Sequence, residues 1–109
     1  MTPLTDRLVD DALWEQVAPL IPPPPPPRGP GGRPRVPDRC ALEGIVFVLA
    51  TGCRWRDLPA DRGWGSGVTC WRRLRDWHES GVWGQLEPSI LDRVGRLRHA
   101  QAAPDSPGA

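Results

Sequence analysis

Asp38-Arg39-Cys40-Ala41-Leu42-Glu43-Gly44-Ile45-Val46-Phe47-Val48-Leu49-Ala50-Thr51 is the stretch that decides the fold. Leu42, Ile45, Val46 and Leu49 recur at i, i+3, i+4 and i+7, the spacing that lays one apolar stripe along a helix. Phe47 and Val48 widen the stripe, so this helix is expected to be central. Asp38 is placed to cap its start and Gly52 to end it. The chain shows no period-two alternation, heptad or internal repeat. The reading is all-α: a small helical domain.

Downstream, Trp55-Arg56-Asp57-Leu58-Pro59 suits a short helix or turn over 55–60, and Gly63-Trp64-Gly65-Ser66-Gly67 reads as a turn whose Ser66 caps the next helix. That helix, over 67–79, is expected to point Val68, Cys70, Trp71, Leu74 and Trp77 inward. Thr69, Arg72, Arg73 and Asp76 then share the opposite side, with Arg75 beside them. Trp71, Trp77 and Trp83 read as core, and Trp64, between glycines, as the exposed tryptophan. Gly81 ends the helix. A last helix over 82–99 turns Trp83, Leu86, Ile90, Val94 and Leu97 inward, and Pro88 is expected to kink or restart it.

Upstream, Asp10 or Asp11 can cap a first helix running to about Leu20, with Leu13, Trp14, Val17 and Leu20 or Ile21 on one face. Six prolines over 22–27 stop it and favour a stiff polyproline II spacer. Arg28, Arg33 and Arg35 follow among Gly and Pro, a composition that cannot bury apolar surface. The segment is either a basic arm for a phosphate backbone or minor groove, or a solvated linker. The expected organisation is an N-terminal helix (1–21), a Pro/Gly/Arg-rich linker or arm (22–37), a DNA-binding domain (38–99) and a disordered tail (100–109).

Charge is distributed unevenly along the 109 residues. Residues 28–76 carry ten arginines against five acids, a local net charge of +5, whereas the whole chain is only +1. An anionic partner belongs on that middle stretch. All fourteen basic residues are Arg, which suits phosphate and guanine geometry. Cys40, Cys53 and Cys70 are widely spaced and, with His78 and His99, complete no zinc pattern, so they are expected to be free thiols in a reducing cytoplasm. The apolar run 45–50 is too short to cross a bilayer, and the acidic start lacks a signal-peptide core. No paired carboxylates, metal cluster or activated nucleophile appears, so neither enzymatic activity nor a cofactor is expected of this chain.

The elements at 38–51, 55–60 and 67–79 have the layout of a helix-turn-helix whose last helix is basic and amphipathic. A major groove about 12 Å wide admits one helix. Thr69, Arg72 and Arg73 are the expected base-reading side chains, Arg75 and Arg56 the phosphate contacts, and Arg33 and Arg35 the arm contacts.

The same residues carry a family resemblance. Leu4-Thr5-Asp6, Trp14, Pro19-Leu20-Ile21-Pro22, Gly32-Arg33-Pro34-Arg35 and Asp38-Arg39 are part of it. It continues through the helix over 42–49 and Thr51-Gly52-Cys53-Arg54-Trp55-Arg56-Asp57-Leu58-Pro59. Trp71-Arg72-Arg73-Leu74, Trp77, Gly81-Val82-Trp83 and Leu86 complete it. The chain resembles the N-terminal domain of DDE-type insertion-sequence transposases whose gene is split into two overlapping frames. The resemblance implies recognition of terminal inverted repeats, followed by an RNase H-like domain whose three carboxylates hold two divalent metals. The sequence stops at Ala109, and Asp105 lies in a Pro/Ser/Gly/Ala tail with no strand around it, so no catalytic residue is transferred. The implied partners are duplex DNA at the element ends, a catalytic second-frame product and a second copy of the chain. The rival reading is a protein-interaction or oligomerisation module that docks through the proline run.

Overall fold

The computed structural model describes residues 8–23 and 35–102, which form four α-helices and no strand. Helix α1 spans Asp11–Val17, opened by Asp10, whose carboxylate accepts from the Leu13 amide at 2.9 Å. A 3₁₀ turn, Ala18–Leu20, carries the chain to Ile21, which is extended ahead of Pro22. Helix α2 spans Asp38–Thr51, α3 Gly67–Ser80 and α4 Val82–Ala102. The polyproline reading of 22–27 lies outside the described residues beyond Pro23, as do Arg28, Arg33 and the tail from 103.

α2 is the central element. Ala41, Leu42, Gly44, Ile45, Val46, Val48 and Ala50 are all buried, so apolar contact surrounds it rather than lining one stripe. Its N-cap position is Pro37, and Asp38 caps nothing. Instead the Asp38 carboxylate, in the first turn where the helix dipole favours an acid, accepts from Arg73 of α3 at 2.7 Å and Arg35 at 3.2 Å. α2 crosses α3 at Gly44, where a Cβ would sit 2.6 Å from the Cys70 sulfur. Only a residue without a side chain permits that approach.

The connection from α2 to α3 contains no α-helix. The short helix or turn expected over 55–60 takes the form of two isolated 3₁₀ turns, Trp55–Asp57 and Ala60–Arg62. Pro59 separates them, and its missing amide prevents one continuous helix. Ser66 caps α3 as expected, accepting from the Thr69 amide at 3.1 Å. Trp64 is buried, contrary to its exposed reading: its indole donates to Glu43 at 3.2 Å and its ring meets Phe47.

α4 runs unbroken through Pro88. The carbonyl that proline leaves unpaired belongs to Gly84, an exposed residue with open space around it, so water can satisfy that group. Trp83, Leu86, Ile90, Val94 and Leu97 point inward as their spacing predicts.

α1 shares this core. Val9, Leu13 and Val17 are buried in the same apolar cluster as α2 and α4. Its start is also held by polar contacts. Glu43 accepts from the Val9 amide at 3.3 Å, Arg39 donates to the Val9 carbonyl at 2.8 Å, and Arg93 donates to the Leu8 carbonyl at 2.8 Å.

Candidate nucleic-acid interface

Helix α3 divides into two faces, set differently from the sequence expectation. Cys70, Arg73 and Trp77 are buried and Leu74 is half-buried. Val68, Trp71, Arg72 and Arg75 form the outward stripe at i, i+3, i+4 and i+7. Val68 is 57% exposed and Trp71 43%, so neither belongs to the core as their hydrophobicity suggested. Arg73 moves the other way: it is 7% exposed and unavailable to a partner.

Arg73 is buried because its charge is fully engaged. It donates to Asp38 at 2.7 Å and to the Val36 carbonyl at 3.0 Å. Burial lowers its pKa, nearby Arg35 lowers it further, and Asp38 opposes both. The same burial pushes the Cys70 thiol up to about 11, against the pull of Arg73. Cys70 donates to the Trp64 carbonyl at 3.2 Å, a structural role. Cys40 and Cys53 are half-buried free thiols.

The other site candidates fall as follows. Arg72 and Arg56 are exposed and form no ion pair or hydrogen bond among the described residues. Arg75 lies over the Trp71 ring, 5.2 Å from its centroid, and touches Asp76 at 3.4 Å. Thr69 is half-buried, its hydroxyl 3.0 Å from that of the capping Ser66. Arg35 is exposed at the foot of the proline-rich segment, paired with Asp38. Arg33 lies outside the described residues.

Two contacts bring these groups together. A Cβ on Gly67 would overlap the Trp55 carbonyl, so the segment carrying Arg54 and Arg56 is pressed against the start of α3. A Cβ on Gly65 would lie 3.0 Å from the Val36 side chain, which seats Val36 on the turn before α3. Arg35 and Arg56 thus lie on segments that meet the start of α3, while Arg72 and Arg75 belong to the outward stripe itself. Val68 and Trp71, which complete it, were missed because hydrophobicity alone assigns them inward. The available signal was the alternative quartet 70, 73, 74 and 77, which requires a buried arginine with a distant acid. Among the described residues no cluster of three or more His, Cys, Asp or Glu could hold a metal, and no helix is long and apolar enough to cross a membrane.

The sequence model of the family described as "Putative transposase of IS4/5 family (DUF4096)" matches residues 9–87. The chain belongs to this family. It is 53% identical over 104 residues to the "Insertion element IS402 uncharacterized 16.2 kDa protein" of Burkholderia cepacia, an alignment covering 91% of this chain and 70% of that one. It is 35% identical over 81 residues to "Uncharacterized protein y4sN" of Sinorhizobium fredii (strain NBRC 101917 / NGR234), covering 74% of this chain and 60% of the relative. No solved structure matches it. The IS4/5 match begins at Val9 and ends in α4, so it takes in the whole outward face of α3 and its surroundings.

Proposed function

We propose that this IS4/5-family chain binds the terminal inverted repeats of its insertion element, in the cytoplasm, as the DNA-recognition part of a transposase. The recognising unit is helix-turn-helix-like: α2 supports, the 3₁₀ turns connect, and α3 enters the major groove. Arg72 and Arg75 extend toward bases and phosphates, Arg56 reaches the backbone beside the start of α3, and Thr69 supplies a short hydroxyl near the helix start. Arg33 and Arg35 track the backbone as a basic arm. Arg73 is a structural post in this scheme and contacts no DNA.

The observation that supports the reading is the outward stripe of α3, where Arg72 and Arg75 stand beside Val68 and Trp71 on a helix face left exposed among the described residues. The chain alone is then not a nuclease. Strand cleavage falls to a DDE-type catalytic segment, as in a product joined to a second reading frame.

The test is a salt titration of binding, using a duplex from the flanking inverted repeat and a scrambled duplex of equal length. Tighter binding to the repeat, falling steeply with salt, is the expected result. Equal, weak binding to both would leave the protein-interaction reading in its place.

A further inference from the structure

We infer that the outward stripe of α3 reads thymine methyl groups by apolar contact through Val68 and Trp71. The inference rests on the DNA-recognition reading above and adds the base feature recognised.

Val68 occupies the second position of α3 and Trp71 the next turn, so both lie in the half of the helix that a groove-entering helix presents to base edges. From Val68 to Arg75 the stripe is about 10 Å long, close to three base-pair steps. Its chemistry is mixed: two apolar side chains, then Arg72 and Arg75. In the major groove the thymine 5-methyl is the one apolar group on any base edge, whereas guanine offers two acceptors to a guanidinium. A stripe with both chemistries fits a short site containing thymine beside guanine. The Arg75 guanidinium over the Trp71 ring limits the rotamers of both side chains, so less ordering is left to binding.

The occupant is duplex DNA on grounds of charge. A second copy of the chain packed about a two-fold axis would bring Arg72 and Arg75 against the same arginines. Val68 and Trp71 also present far less than the ~800 Å² per partner of a stable protein interface. A polyanion removes the repulsion and uses both arginines.

The experiment compares three duplexes at one salt concentration: the natural inverted repeat, the same repeat with every thymine replaced by deoxyuridine, and a scrambled duplex. Wild-type chain and Val68→Ser are measured side by side. The expected result is an affinity loss of about fourfold per contacted thymine on the uracil duplex, since each buried methyl contributes about 0.8 kcal/mol. Val68→Ser, altered at an exposed position, shows a smaller difference between the thymine and uracil duplexes. Wild type that prefers the repeat to the scrambled duplex but binds the uracil form equally well overturns methyl reading and leaves DNA recognition standing. Wild type that binds all three alike overturns both. A dimer in sedimentation that Val68→Ser converts to monomer gives the stripe to a second copy and also overturns the inference. The uracil comparison needs no variant, so it stands even if Val68→Ser fails to fold.

Discussion

Arg72 and Arg73 are chemically identical neighbours with different surroundings, and substitution separates them. Arg73→Ala leaves Asp38, whose side chain is 14% exposed, with the longer contact to Arg35 at 3.2 Å and leaves the Val36 carbonyl without its donor. Losing these hydrogen bonds of a buried guanidinium costs about 1–3 kcal/mol, so the urea midpoint is expected to fall. Lysine does not restore it, because one guanidinium spans both acceptors. Arg72→Ala is expected to leave the midpoint unchanged and weaken DNA binding by about 1–3 kcal/mol. Replacing both arginines is therefore expected to lower stability as well as affinity, although the sequence places them side by side as base-reading residues. Cys70 gives a second prediction at this scale. Its folded pKa of about 11 exceeds the ordinary 9.0, so the stabilisation from its protonated form is complete below pH 9 and is lost as pH rises through 11. Melting temperature should decline across that window in wild type and decline less in Cys70→Ala. Residue identity gave no warning of this environment, since Asp38 and Arg73 are 35 positions apart.

Helix packing depends on shape at one crossing. Gly44→Ala adds helix propensity worth up to about 1 kcal/mol, yet its methyl meets the Cys70 sulfur and the Leu58 and Trp64 side chains. Overpacking of this kind costs typically 1–3 kcal/mol, so net destabilisation is expected. In a Cys70→Ala background the space reopens and the same change should become neutral or stabilising. Denaturation of the four proteins of that cycle measures the coupling; additive effects would show that α2 and α3 do not meet there. Elements themselves were legible in the sequence. α2 and α4 declare themselves by spacing, and the ends of α3 by Ser66 and Gly81. The rotation of α3 was not legible, because Val68 and Trp71 score as core and Arg73 as surface. A buried ion pair reverses that score only when its partner's position is known. Between helix and turn over 55–60 the sequence did not decide, because the division into two 3₁₀ turns is set by Pro59 and by the close approach of Gly67 to Trp55.

At the scale of the molecule, one core is assembled from both sides of the proline-rich segment. Removing residues 1–21 exposes the apolar surface that Val9, Leu13 and Val17 cover and leaves Glu43 and Arg39 without their Val9 partners. Loss of cooperative unfolding is the expected calorimetric result; an unchanged transition would show that α1 contributes nothing. The sequence placed α1 and its apolar face correctly, but not the partners it finds across the linker. Those contacts have a consequence for the covalent chain itself. Because α1 is anchored on α2 and α4, its place in the core is held by contacts as well as by the covalent link between Pro23 and Arg35. A protease cut there should yield two fragments that still migrate together under native conditions and part only in denaturant. Mixed as separate peptides, 1–27 and 28–109 would form a heterodimer. Its dissociation constant, set against the millimolar effective concentration that a short linker supplies, measures how much of the fold depends on connectivity and how much on fit.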